Sequence, residues 1–295
     1  MRKIISLVIC LMLFVPAIPG GFAADGGFNR NLSLDEINFL EGVGIFEEAD
    51  VFSGNTEFTV TKGEAARLLI RMSGYAEDET GSSEAESPYR DVKGTTNHRN
   101  EIIAATRLGF FGRDYSAYFY PDDTAETMWF AKAAARALGY GAQLDFQGDT
   151  LIYRLKLLKG VSSKADRYLR RDGALKILCN AAEVPVMKDK GVSEGGRVNN
   201  ATREKTLLTE YFGVYNDEDV LLSDYYNSAC GERCAEGQAR IGNAVYYTGD
   251  INTEQLIGRK IKFYYKSEDG RNTLLYIKLL ENKVTEISAD NAEYS

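Results

Sequence analysis

Across residues 61–75 the apolar side chains Ala65, Leu68, Leu69 and Met72 are spaced three, one and three apart, which sets them on one face of a helix. Thr61 with Glu64 three places later is a capping box at the start of that helix, and Gly74 stops it by turning left-handed. Sixty-five residues on, Phe130, Ala133, Ala134 and Ala137 repeat the spacing, and Gly139-Tyr140 echoes Gly74-Tyr75. The same offset carries Val43-Gly44-Ile45 onto Leu108-Gly109-Phe110, and Ile37 onto Ile102. A third copy follows at shorter spacing, with Ala174, Ile177, Leu178 and Ala181 preceded by a run from Tyr153 to Gly160. Two landmarks thirty residues apart and sharing one offset argue for duplication. The pattern predicts three related helix–loop–helix modules.

The modules are expected at residues 30–75, 88–140 and 142–187. In the first, Ser33 with Glu36 opens a short helix through Ile37, Leu40 and Val43, and a loop carrying Phe52 and Phe58 folds back before the second helix. Residues 76–87 are acidic and serine-rich without apolar period, and read as a solvated linker. The second module holds a helix near residues 100–108, the loop Tyr118-Phe119-Tyr120-Pro121, and Trp129, the only tryptophan, expected half-buried. Beyond Val184-Pro185 a glycine- and asparagine-bearing stretch, residues 188–202, reads as a second linker.

From residue 203 to about 290 the period changes to two. Runs at 207–215, 220–226, 240–247, 260–266, 273–279 and 283–288 are rich in β-branched and aromatic residues and bounded by turn formers. Ile261, Phe263 and Tyr265 alternate with Lys260, Lys262, Tyr264 and Lys266, as on a strand with one wet face. Residues 253–258 read as one helical turn. A small antiparallel barrel or curled sheet is expected, with its tyrosines mainly in packing roles.

Residues 1–23 stand outside the fold: Arg2 and Lys3 precede an apolar run to Ile18, and Gly21-Phe22-Ala23 offers small residues for cleavage. They read as a signal peptide, a retained anchor being the alternative, since the apolar run is shorter than the roughly twenty residues a span needs. Cleavage leaves 272 of the 295 residues and, by removing two cations, moves the net charge from −8 to −10. Such an acidic chain does not suit nonspecific nucleic-acid binding, which draws on a basic surface. Cys179 falls beside an apolar helical face and reads as a small buried side chain. Cys230 and Cys234 flank Gly231-Glu232-Arg233, a spacing that suits a local disulfide outside the cell or two free thiols; zinc would need two further ligands.

Catalysis finds little footing. His98, the only histidine, lies in a polar stretch with no nucleophile elbow beside it, and no zinc-protease, phosphate-loop or dinucleotide motif occurs.

Asp91-Val92, the helix ending Leu108-Gly109-Phe110, Phe119-Tyr120-Pro121, and the closing helix before Leu138-Gly139-Tyr140 resemble an S-layer homology domain. The third copy, from Leu157-Leu158-Lys159-Gly160-Val161 through Arg171-Asp172-Gly173-Ala174 to Val184-Pro185, is similar to the last such module in many clostridial wall proteins. The resemblance spans about residues 30–187. It implies an α+β multidomain chain: an N-terminal pseudo-threefold helical bundle with prong loops, then the small β-domain. It also implies that grooves between prongs hold an anionic, often pyruvylated, secondary polysaccharide of the Gram-positive wall. The family binds it with an arginine in a Thr-Arg-Ala-Glu motif at a helix start, where a guanidinium meets a carboxylate through two parallel hydrogen bonds and the helix adds backbone donors.

Here the first module offers Thr61-Lys62-Gly63-Glu64, the second Glu126-Thr127-Met128-Trp129 with no cation, and the third Arg170-Arg171-Asp172-Gly173. The candidate glycan-binding residues are therefore Lys62, Arg171 and Arg170, with no catalytic residue, metal ligand or cofactor expected. The expected function is noncovalent anchoring to wall polysaccharide and display of the β-domain. The expected location is outside the cell, at the cell wall or surface of a Gram-positive-type bacterium, with envelope proteins as further partners and no membrane after signal cleavage. Two alternatives stand beside it: an envelope protein whose modules bind protein partners instead of glycan, and a secreted wall-glycan hydrolase.

Overall fold

Ser33 and Glu36 form the expected capping box at the head of α1 (Leu34–Gly42), and Thr61 and Glu64 do the same for α2 (Lys62–Met72) in the computed structural model. The structure describes residues 32–46, 59–75, 86–112, 116–161, 167–187 and 205–280. The expected signal peptide, nearly all of the acidic stretch at 76–87, the expected linker at 188–202, the loop carrying Phe52 and Phe58 and the expected strand at 283–288 lie outside those residues. The second module gives α3 (Arg99–Arg107) and α4 (Thr127–Ala137). The third differs: its first helix is broken into α5 (Gly141–Gln147) and α6 (Asp149–Arg154) at Gly148, followed by α7 (Arg171–Ala182).

These helices pack in a cycle. α2 lies against α3 of the next module, α4 against α5 and α6, and α7 against α1. Each module's second helix thus covers the first helix of its successor, and α2, α4 and α7 also touch one another. Leu69, Ala134 and Leu178, the centres of the repeated faces, are fully buried in one core. The alanines of α4 (Ala131, Ala133, Ala134, Ala135) leave room for its neighbours to approach.

At the centre the backbone closes a ring. The residues two places before α2, α4 and α7 are Val60, Ala125 and Leu169, all fully buried. Val60 N–H donates to Leu169 O at 2.9 Å, Leu169 N–H to Ala125 O at 2.7 Å, and Ala125 N–H to Val60 O at 2.9 Å. A buried peptide group without a partner is costly, so each apolar residue can sit here only because the other two complete its bonding. The flanking pairs Thr59–Arg170, Thr61–Thr124 and Glu126–Tyr168 extend the ring outward as short antiparallel bridges.

The helix ends show the same repetition with one local fault. After α1 and α3 the chain turns left-handed at Gly44 (φ 82°) and Gly109 (φ 75°), and the next amide bonds back into the helix, Ile45 N to Leu40 O and Phe110 N to Ala105 O. After α6 the same turn falls on Lys156 (φ 59°), with Leu157 N donating to Ile152 O. This conformation costs an L-residue roughly 1–2 kcal/mol. Because glycine also loosens the unfolded chain, Lys156→Gly is expected to stabilise the protein by about 0.5–1 kcal/mol. A chemical-denaturation midpoint that falls would show that the Lys156 side chain contributes more than its backbone costs.

Between the linker ends, Val186 N–H donates to Lys205 O at 2.9 Å and Leu207 N–H to Val184 O at 3.1 Å, so residues 185 and 206 lie paired. The run at 207–215 departs from the expected strand: α8 (Leu207–Tyr211) is helical, capped by Thr206 and sealed by Leu207 and Leu208, both fully buried in the helical core. The sheet then runs β1 (Val214–Ser223), β2 (Gln238–Ile241), β3 (Ala244–Tyr247), β4 (Lys260–Glu268) and β5 (Arg271–Leu279). The expected strand at 220–226 is the end of β1, and that at 240–247 is a hairpin turning at Gly242-Asn243 (Gly242 φ 53°). The expected helical turn at 253–258 is a short 3-10 segment, Glu254–Leu256.

Neighbours in the sheet run β1-β2-β3-β5-β4, and β1 pairs back on β4. The β3–β5 seam is a single pair, Tyr247 with Thr273, and it is parallel, so the sheet is curled round on itself rather than being a regular antiparallel barrel. Its interior is Leu221, Ile241, Tyr246, Ile261, Phe263 and Leu274.

The other face of β4, expected to be wet, leaves Lys260 exposed but is covered at Tyr264. Tyr264 is 3% exposed, its ring 4.9 Å from Phe39 of α1, and its hydroxyl donates to Glu183 at the end of α7. Tyr276 of β5 also packs on Phe39, at 5.4 Å, and donates to Asp35 O at 2.9 Å. Both faces of this strand pair are therefore used, one for the sheet's own core and one to seat the sheet on the seam between α7 and α1.

Candidate functional site

The described seam between the first and second modules carries a cleft built around Asp91. Its two carboxylate oxygens accept the N–H groups of Phe119 (2.9 Å) and Tyr120 (2.7 Å). Burial alone would raise the Asp91 carboxyl, but the backbone donors of Phe119 and Tyr120 and the nearby Lys62 charge outweigh it and hold the group below its ordinary value. The clamp holds Tyr120 in a left-handed conformation (φ 60°) just before Pro121, an unfavoured place for a bulky residue.

That backbone twist sorts the side chains. Phe119 turns inward, 5.2 Å from Tyr89 and 5.1 Å from Phe111, and Phe111 stacks on Trp129 of α4 at 5.2 Å and 13°. Tyr118 and Tyr120 turn outward, 42% and 52% exposed, with their rings 5.9 Å apart and 25° from parallel. Lys62 reaches over from α2; its Nζ lies 3.4 Å from Phe119 O and 5.5 Å from the centre of the Tyr120 ring. Lys62, Tyr89, Phe111, Tyr118, Tyr120 and Trp129 line a cavity of about 160 Å³. Beyond Tyr120 lies an oxygen-rich hollow of about 410 Å³, edged by Asp91, Thr95, Thr96, Asn97, Asp122 and Asp123. One ammonium, two exposed aromatic faces and a bank of hydroxyl and carboxylate acceptors together suit a polyhydroxylated ligand carrying a single acidic group.

The backbone donors expected at this helix start are already engaged. Lys62 N–H donates to Asp123 O and Gly63 N–H to Pro121 O, each at 2.9 Å, while Glu64 N–H is taken by the Thr61 hydroxyl. The first turn of α2 therefore fastens the neighbouring loop and offers an anion the Lys62 side chain, not its peptide groups.

Arg171 occupies the first position of α7, as Lys62 does of α2, so the two cations stand at equivalent helix starts in different modules. Arg170 is tied into the fold. Its Nε lies 3.5 Å from Asp172, whose buried carboxylate also caps Gly173 N–H at 2.8 Å. Arg167, which lies outside the aligned helix starts and so carries no signal in the repeat, supplies the cation at the remaining seam. Its Nε and Nη2 both donate to Glu126 Oε1, at 2.9 and 2.7 Å, on the residue that precedes α4. The role of Asp91 is equally hidden in the sequence, because its partners lie 28 and 29 residues away. The local signals are the Asp91-Val92 pair itself and the aromatic run Tyr118-Phe119-Tyr120, and neither shows that the two meet.

The remaining candidates fall elsewhere. His98 opens α3 with its ring 3.9 Å from the Glu101 carboxylate. Cys230 and Cys234 are free thiols rather than a disulfide: each sulfur meets a serine hydroxyl, Ser228 at 3.5 Å and Ser223 at 3.3 Å, and their backbones are pinned separately. Among the described residues no group of three or more His, Cys, Asp or Glu side chains is placed to hold a metal, and no helix is long and apolar enough to cross a membrane. No family model matches the chain, and no curated protein matches it at a significant level.

Proposed function

We propose that this chain is an S-layer-homology-type protein of the cell envelope. In this reading its helical body attaches noncovalently to an anionic wall polysaccharide and its β-domain is carried at the cell surface. The observation that carries the reading is the ring of backbone hydrogen bonds joining Val60, Ala125 and Leu169. Three units that each place an apolar residue on one axis, two positions before the second helix, are what a pseudo-threefold bundle of such modules requires. The cyclic pairing of α2 with α3, α4 with α6, and α7 with α1 supports the same arrangement. The Lys62 cleft is then an inter-prong groove, with Lys62 meeting a sugar carboxylate or pyruvyl group and Tyr118 and Tyr120 meeting the ring faces. Arg171 takes the corresponding place at the third module. Export through residues 1–23 belongs to this reading.

One observation favours a second reading, in which the modules hold protein partners instead. The α2 peptide donors are engaged by Pro121 and Asp123, and Thr127 stands where the second cation belongs, so the chemistry for anions is thinner than the family implies.

Sedimentation with purified, pyruvylated wall polysaccharide separates the two. The native chain is expected to co-sediment at low ionic strength. Lys62→Ala should weaken retention by about tenfold, the loss of one charge-assisted hydrogen bond, and Lys62→Arg should keep it. Chemical removal of the pyruvyl groups should abolish the difference. A native chain that stays in solution at low salt would leave the protein-binding reading in place.

A further inference from the structure

The loop joining β1 to β2 is more tightly built than its surface position calls for. Asp224, 3% exposed, accepts the N–H groups of Tyr226 (2.8 Å) and Asn227 (2.7 Å) on one oxygen and the Thr253 hydroxyl (3.0 Å) on the other. Its carbonyl takes Cys234 N–H at 2.9 Å, and Ala229 N–H bonds Leu222 O at 2.8 Å, so the segment is pinned to the end of β1 just before one cysteine and at the other. Between those pins Cys230-Gly231-Glu232-Arg233-Cys234 bows outward through Gly231 (φ 89°). The Cys230 thiol is exposed; the Cys234 thiol is half-buried, 3.3 Å from the hydroxyl of fully buried Ser223.

From this placement of an exposed and a sheltered thiol on one anchored loop, four residues apart, we infer that Cys230 and Cys234 form a thiol–disulfide exchange centre that reduces a low-molecular-weight disulfide, with Cys230 attacking and Cys234 resolving. The Cys230 thiolate attacks one sulfur of the external disulfide, forming a mixed disulfide and releasing one thiolate. The Cys234 thiolate then attacks the Cys230 sulfur, closing the protein disulfide and releasing the second. The two protein thiols are oxidised and lose their protons to solvent; the external disulfide takes up the two electrons and, with two protons, leaves as two thiols.

The order of attack follows from the surroundings. The Ser228 hydroxyl foremost, then the Glu232 backbone, the Ser223 hydroxyl and Arg240, hold the Cys230 thiol below the ordinary range. Cys179 is the built-in contrast. Burial foremost, with the Glu36 charge, pushes its thiol up to about 12, and its sulfur on α7 lies 3.6 Å from Glu36 O of α1. Gly231 gives the bow the freedom to shorten when the two sulfurs join.

The test uses the full chain with oxidised glutathione, followed by mass spectrometry of the intact protein and its peptides. The native protein is expected to end with a Cys230–Cys234 disulfide, no bound glutathione, and two glutathiones released per chain. Cys234→Ser should stop at a single glutathione on Cys230. Cys230→Ser should react about tenfold more slowly or less, and Cys179→Ser should behave as the native chain, with circular dichroism checking that each variant is folded. The inference is overturned if the native chain stops at a mixed disulfide, if chains cross-link to one another instead, or if Cys230→Ser keeps the native rate. The outcome does not depend on whether the helical body binds polysaccharide.

Discussion

Gly139→Ala is expected to destabilise the protein by about 3 kcal/mol, combining the strain of a left-handed L-residue with overpacking against fixed backbone. Gly139 sits at φ 85°, and a methyl group built on it would lie 1.9 Å from Met187 O and 2.9 Å from Met187 C. That segment cannot simply lift away. Met187 N–H donates to Leu138 O at 2.8 Å, and the Tyr140 hydroxyl donates to Pro185 O at 2.8 Å, so the chain leaving α7 is bound across the end of α4. For a chain of this size the loss corresponds to a fall of about 6–12 °C in Tm. Gly109→Ala is the control, since Gly109 has a similar φ of 75° but open space where the methyl group would go. It should cost only the backbone strain, roughly 1–2 kcal/mol. Equal shifts for the two variants in thermal unfolding would mean that the contact with Met187 is not held in solution.

A repeat makes some features of a chain legible and leaves others hidden. The apolar faces of α2, α4 and α7 and the caps at Ser33 and Thr61 can be read directly because caps and a 3.6-residue period are local features. Gly74 and Gly139 are recognisable as helix stops for the same reason. That Gly139 also lies beneath Met187, and Gly74 against Tyr211, depends on segments far along the chain. The elements that depart from expectation have equally physical causes. α8 is five residues long, too short to show a period, and its Thr206 cap is masked by the β-forming residues that follow. β2 and β3 are four residues each, so their hairpin has the length and composition of one strand, and only the turn at Gly242 divides it. On β4 the alternation marks the inner face truly, but period alone cannot say that a second body covers the outer face, which is where Tyr264 meets Phe39.

The candidate site divides along the same line. Lys62 and Arg171 emerge because the repeat aligns them at equivalent helix starts. Whether those starts have donors to spare is a tertiary matter, decided at α2 by the carbonyls of Pro121 and Asp123. Asp91 is the clearest case. It is visible as part of a motif, yet its carboxylate acts on amides nearly thirty residues downstream.

Asp91→Ala should therefore cost more than its partly exposed setting suggests and should dismantle the cleft. It releases the amides of Phe119 and Tyr120 from a charged acceptor and leaves the left-handed Tyr120 without its carboxylate partner; the expected loss is about 2–3 kcal/mol. Phe119 then swings off Phe111 and Trp129, and because Trp129 is the only tryptophan its emission reports the event directly, as a shift to longer wavelength. The pH dependence has a definite sign. The folded-state value of Asp91 lies below its ordinary 3.8, so its contribution is fully present above about pH 3.8 and is lost as pH falls through the lowered value. In the native chain the emission shift should appear only under that acid condition, whereas Asp91→Ala should show it at neutral pH and change little on acidification. Asp91→Asn, which keeps one acceptor oxygen and no charge, should fall between them. If the proposed polysaccharide binding holds, retention should be lost together with the native emission, because Lys62 needs Phe119 O and the Tyr120 ring to hold its ammonium over the cleft. A variant that keeps the native spectrum at neutral pH would place the stability of the loop in its aromatic packing rather than in the carboxylate clamp.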